Sequence, residues 1–115
     1  MAKLTTPVFL DYLTQSELVA ERDLKRSLDD LRKKCGGELP DDAETAAGWF
    51  ICRGLITRWH ADKIFERKYK GFRLGKYKLL TLLGTGEMSS VYLGEHVLMK
   101  RLRAIKILPK SKSFS

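Results

Sequence analysis

The spacing of apolar residues changes once along this chain, after Glu66. Before that point apolar residues recur three and four positions apart, the spacing that gives a helix one buried stripe. After it they alternate with basic and polar residues, as in a strand, where successive side chains point to opposite faces. A chain of 115 residues has room for one modest core or two small units. The expected fold is therefore α+β: a small bundle of about four helices over residues 1–66, a linker over 67–76, and antiparallel strands from Tyr77 onward.

Each helix has its own start and stop signals. Pro7, after Thr5 and Thr6, suits a first turn, and Val8, Phe9, Tyr12 and Leu13 follow at helical spacing. Leu24, Leu28 and Leu31 place a second helix over Ala20–Lys34, which ends in three basic residues and stops at Gly36-Gly37. Asp41 or Asp42 caps a third that runs through Trp49, Phe50 and Cys52 to Gly54, and Thr57 caps a fourth carrying Trp59, Ala61, Ile64 and Phe65. Setting Leu18-Val19-Ala20 on Leu55-Ile56-Thr57 aligns Leu13 with Phe50 and Tyr12 with Trp49. The first half thus reads as a weak repeat of one helix pair, each pair burying the stripe the other leaves open.

Charge divides at the same place. Residues 1–66 hold 10 Lys/Arg against 12 Asp/Glu, net −2, whereas residues 67–115 hold 12 against 2, net +10. A basic half of this kind suits a nucleic acid, an anionic lipid or a phosphorylated ligand. Its cations are dispersed through strands and linker without an RNA- or DNA-binding signature, so no nucleic-acid partner is expected. No apolar run reaches the length of a membrane span, and the start, MAKLTTPVFLDYL, meets Asp11 too early for a signal peptide. A cytoplasmic location with no membrane partner in this segment is expected. Cys35 and Cys52 lack ligand spacing, which predicts a free thiol at Cys35, a small core residue at Cys52 and no metal site. His60 and His96 have no partner at a telling spacing and read as surface or packing residues.

The residues that carry chemistry lie in LGTGEMSSVYLGEHVLMKRLRAIK, Leu83 to Lys106. Gly84-Thr85-Gly86 follows a strand and opens a turn. A Walker loop is excluded, because no Gly-Lys pair follows at the required distance. A dinucleotide-binding turn leads into a helix, whereas SSVYLGEHV is β-branched and aromatic with period two. A glycine turn between two strands remains, in which glycines let the backbone approach phosphate oxygens and adopt positive φ. Lys106 ends Ala104-Ile105-Lys106, fifteen residues past Val91. Strand alternation puts Ala104 and Lys106 on one face and Arg103, Ile105 and Ile107 on the other. The same alternation groups Tyr77, Leu79, Thr81 and Leu83.

From the aliphatic Leu83 through both glycines, Val91 and Ala-Ile-Lys, residues 77–115 resemble the first three strands of a Hanks-type serine/threonine protein kinase. The whole chain is similar to the N-terminal part of bacterial kinases of the planctomycete type, where a helical region precedes the catalytic domain. The resemblance implies ATP as the ligand. Gly84, Thr85, Gly86, Glu87, Met88, Ser89 and Ser90 would cover its phosphates, Leu83, Val91 and Ala104 would pack on adenine, and Lys106 would hold the α- and β-phosphates as the family's catalytic lysine. Ser89 stands where the family's third glycine falls, and Arg103 where it has valine.

The resemblance also implies what one kinase needs further along: a helix glutamate for Lys106, an HRD catalytic loop and a DFG magnesium site. No HRD or DFG occurs in these 115 residues. The segment is therefore expected to bind Mg-ATP without completing transfer to a protein substrate, the magnesium ligands lying outside it. The alternative is a non-enzymatic helical interaction module, with its own protein partner and a vestigial nucleotide-binding hairpin.

Overall fold

The computed structural model of the chain describes residues 4–108. It is α+β, with four helices and a four-stranded antiparallel sheet. Two compact units divide it, one running to Lys70 and the other beginning at Gly71. The tail from Pro109, part of the expected kinase start, lies outside the described residues.

In the helical unit the elements are α1 (Thr6–Ser16), α2 (Glu21–Lys34), α3 (Ala43–Cys52) and α4 (Arg58–Phe65). Their caps follow from sequence chemistry. The Thr5 hydroxyl accepts the Val8 N–H at the start of α1, and the Asp42 carboxylate accepts the Glu44 N–H at the start of α3. Thr57 caps α4 in a reciprocal box: its hydroxyl accepts the His60 N–H at 3.1 Å, and His60 Nδ1 accepts the Thr57 N–H at 3.0 Å. Ala20 opens α2 with no side-chain cap, and Glu21 and Asp23 in its first turn and Arg32, Lys33 and Lys34 in its last complement the helix dipole.

The repeat is present in the backbone. α1 and α3 start 37 residues apart, and so do α2 and α4, as the starts Thr6, Ala43, Glu21 and Arg58 show. Glu17 and Gly54, at the same offset, both turn the chain out of a helix with positive φ, 59° and 74°. The two equivalent caps, Thr5 and Asp42, form an isolated antiparallel bridge with each other. Packing follows the same relation. Phe9 of α1 stacks on Phe65 of α4 with centroids 5.2 Å apart, and Trp49 of α3 donates its indole N–H to the Ser27 carbonyl of α2 at 3.1 Å.

Phe9, Leu13, Phe50, Ala61 and Ile64 are fully buried between these helices. Each large side chain among them contributes about 1.5–3 kcal/mol relative to exposure. Two expectations are corrected here. Val8 is exposed, because the buried stripe of α1 runs through Thr6, Phe9, Leu13 and Ser16. Cys52 is exposed and not a core residue, since α3 turns Ala43, Ala46, Ala47 and Phe50 inward and leaves position 52 out of phase. Of the two readings of His60, surface or packing, the second holds: it is fully buried and completes the cap of α4.

The sheet unit contains β1 (Arg73–Leu74), β2 (Tyr77–Thr85), β3 (Ser90–His96) and β4 (Leu102–Ile107), in that order across the sheet. Register breaks occur in β2 between Leu79 and Thr81 and between Leu82 and Gly84, leaving Leu80 and Leu83 as extra residues. Directly paired residues share a face, so each break reverses the alternation. Tyr77, Leu79 and Leu82 consequently share one face, and Lys78, Thr81 and Gly84 the other. The expected grouping of Tyr77, Leu79, Thr81 and Leu83 is overturned by these two bulges. Gly94 of β3 lies on the first face, where a Cβ would collide with the Ile105 side chain.

Candidate functional site

The glycine turn joins β2 to β3. Thr85 pairs with Ser90 as the last rung of the ladder, and the Gly86 N–H donates to the Ser89 carbonyl at 2.7 Å to close the turn over Glu87 and Met88. Gly84 through Met88 are exposed, Met88 by 50%, and Ser89 and Ser90 are half-buried. Neither Gly84 nor Gly86 has positive φ, contrary to the expectation that the turn needs glycine for its backbone angles. Space within the unit does not require glycine either. A Cβ on Gly84 would meet nothing within 4 Å, and one on Gly86 only the Ser89 carbonyl at 3.9 Å.

Three strands then align the remaining residues. Gly84 is paired with Val91 and Val91 with Lys106, so these three form one row across β2, β3 and β4 on a single face. The next row on that face is Thr81, Leu93 and Ala104. Val91, Ala104 and Lys106 are thereby brought together as alternation predicts. Leu83 is not: it sits in the second bulge of β2, 54% exposed and outside the paired rows. Leu93 is the neighbour that motif matching passed over. Counting two positions on from Val91 would have placed it beside Ala104.

Lys106 is exposed and no ion pair holds it among the described residues. A third row holds Lys78 opposite Glu95, and Glu95 opposite Leu102. Burial holds the half-buried Lys78 ammonium below the usual lysine range. Glu95 offsets part of that, and the charges of Lys100 and Arg73 add to it. No group of three or more His, Cys, Asp or Glu gathers at metal-ligand distance among the described residues.

The class defined by these observations is a two-unit α+β chain: a helix pair repeated at a 37-residue offset, and a bulged antiparallel sheet with an open glycine turn. Comparison with protein-family models, curated proteins and solved structures finds no match.

Proposed function

We propose that the sheet unit is the ATP-binding start of a protein serine/threonine kinase, with the nucleotide lying on the face that carries Gly84, Val91, Ala104 and Lys106. The observation that carries this reading is the Gly84–Val91–Lys106 row, with open space over the glycine. On this reading Gly84 leaves room for a phosphate to approach the backbone, and Val91 and Ala104 offer aliphatic surface to the base. Leu93 extends that surface, and Lys106 supplies a mobile cation for phosphate oxygens. Because the Gly86 amide is committed to Ser89, phosphate contact falls to amides further round the turn. The turn's one carboxylate, Glu87, does not fit a magnesium site by itself, as Mg²⁺ takes near-octahedral oxygen coordination. Binding, not turnover, is the activity proposed for these residues.

Titration with Mg-ATP, followed through the backbone amide resonances of residues 84–106, tests this. Wild type is expected to shift at Gly84, Val91 and Lys106 and to gain about 2.7 kcal/mol of stability at a hundredfold excess over Kd. Lys106→Met is expected to lose most of that gain. No shift in wild type, or an equal gain in Lys106→Met, would sink the reading.

A further inference from the structure

The end of the sheet away from the glycine turn is formed by two short turns, between β1 and β2 and between β3 and β4. They are joined where Tyr77 pairs with His96 and where the Val97 N–H donates to the Lys76 carbonyl at 2.9 Å. The β3–β4 turn is built rather than loose. His96 exchanges backbone hydrogen bonds with Arg101 and Lys100 at 2.8 and 2.9 Å, and its Nδ1 accepts the N–H groups of Leu98 and Met99 at 3.2 and 3.0 Å. Those bonds hold two apolar side chains outward, Leu98 82% and Met99 61% exposed. Leu102 and Leu74, 59% and 45% exposed, stand beside the same turns.

Cations surround them. Arg73, Lys76, Lys100, Arg101 and Arg103 are all exposed, and the acid at this end, Glu95, is taken up opposite Lys78. Arg73 of β1 is paired directly with Lys78, and the charge of Lys100 in the β3–β4 turn also bears on the Lys78 ammonium, so the three cations share one neighbourhood. A single exposed leucine is ordinary, but protruding aliphatic tips ringed by cations of one sign form an interfacial pattern.

We propose that this turn end of the sheet is a peripheral docking surface for an anionic lipid bilayer, with Leu98 and Met99 entering the headgroup boundary and the surrounding Lys and Arg side chains held at the phosphate level. A bilayer satisfies both halves of the pattern: aliphatic ends leave water, and each nearby cation gains from the anionic surface. A nucleic acid would engage the cations but leave the aliphatic tips in water, and no aromatic side chain stands at the tips to stack on a base. No helix among the described residues is long and apolar enough to cross a membrane, so the contact is a surface one. The sequence expectation of no membrane partner rested on the lack of a long apolar run, which is a requirement for spanning and not for docking.

Sedimentation of the full chain with vesicles tests the proposal, comparing phosphatidylcholine alone with equal parts phosphatidylcholine and phosphatidylglycerol. Binding is expected only to the anionic vesicles and is expected to weaken with salt. The double substitution Leu98→Ser with Met99→Ser, at exposed positions that leave the fold intact by circular dichroism, is expected to lower partitioning about tenfold or more. Lys100→Glu with Arg101→Glu is expected to do the same. Absence of binding overturns the proposal. So does binding undiminished by the Leu98/Met99 pair, which would reduce the effect to net charge. A DNA duplex or an acidic peptide that displaces the vesicles, and whose own binding falls with that pair, would also overturn it. None of these outcomes depends on ATP.

Discussion

In the helical unit Phe9, Leu13, Phe50 and Ile64 are sealed from solvent, and of the unit's described residues only Val8 is a large apolar side chain left exposed. Among the described residues of the sheet unit Phe72 and Leu79 are the large apolar side chains buried, while Leu74, Leu82, Leu83, Met88, Leu98, Met99, Leu102 and Leu108 are exposed. The charge contrast runs the same way, net −2 over residues 1–66 against +10 over residues 67–115. The repeat explains the first pattern, because each helix pair has its equivalent to cover it. Among the described residues the sheet unit has no such repeat, and many of its large apolar side chains and most of its cations stand exposed. One unit spends its apolar surface on folding, and the other presents it.

Truncating one apolar side chain to alanine in each unit gives the largest expected contrast. Phe50→Ala should destabilise the helical unit by about 3–5 kcal/mol, through lost burial and the cavity left behind. Leu98→Ala should change the stability of the sheet unit by no more than about 0.5 kcal/mol. Both tryptophans, Trp49 and Trp59, belong to the helical unit, so their fluorescence in urea reads that unit, and amide exchange of β2 to β4 reads the other. A Phe50→Ala loss below about 1 kcal/mol would break the comparison.

Within the sheet unit the contrast sharpens at two glycines. Gly94→Val meets Ile105 on the packed face and is expected to cost about 1–3 kcal/mol. Gly84→Val points into open space and is expected to stay within about 0.5 kcal/mol of wild type, while weakening the response to Mg-ATP. Equal destabilisation at both positions would mean that Gly84 is kept for the fold and not for a ligand. Amide exchange of Tyr92 and Leu93 distinguishes the two.

What could be read from sequence and what could not divides along physical lines. Helix limits were legible because capping is local: Thr5, Asp42 and Thr57 each sit at the residue that the chemistry of orphan N–H groups requires. The pairing of Val91 and Ala104 with Lys106 on one face was legible because period two runs unbroken through β3 and β4. It failed in β2, where nothing in YKLLTLLGT marks Leu80 and Leu83 as bulges. An extra residue is decided by the partner strand's register, which lies outside the local pattern. Whether His60 lies at the surface or in the packing was left open for a different reason. Thr57-x-x-His60 has capping-box spacing, but the box ordinarily uses Glu or Gln at the second position. The basic, apolar turn end was visible only as dispersed charge, since Arg73, Lys76 and Lys100 converge through the Lys76–Val97 bond and not through sequence proximity.

The smallest expected effect concerns Lys78, a cation partly buried in the unit whose other described cations are exposed. Its pKa in the folded chain lies below the 10.5 of an ordinary lysine, chiefly because burial disfavours the ammonium. Between the folded value and 10.5 the unfolded chain therefore binds more protons, and folding stability rises with pH across that window. At neutral pH the unfavourable contribution is present in full, and it is relieved as the lysine loses its proton in the fold. Urea unfolding of the sheet unit from neutral pH up to that window should show this rise in wild type. Lys78→Met should be flatter over the same range, with a neutral-pH change of no more than about 1 kcal/mol, because Glu95 loses its cross-strand partner as the buried charge is removed. A parallel rise in the variant would assign the pH dependence to other lysines and not to the burial of Lys78.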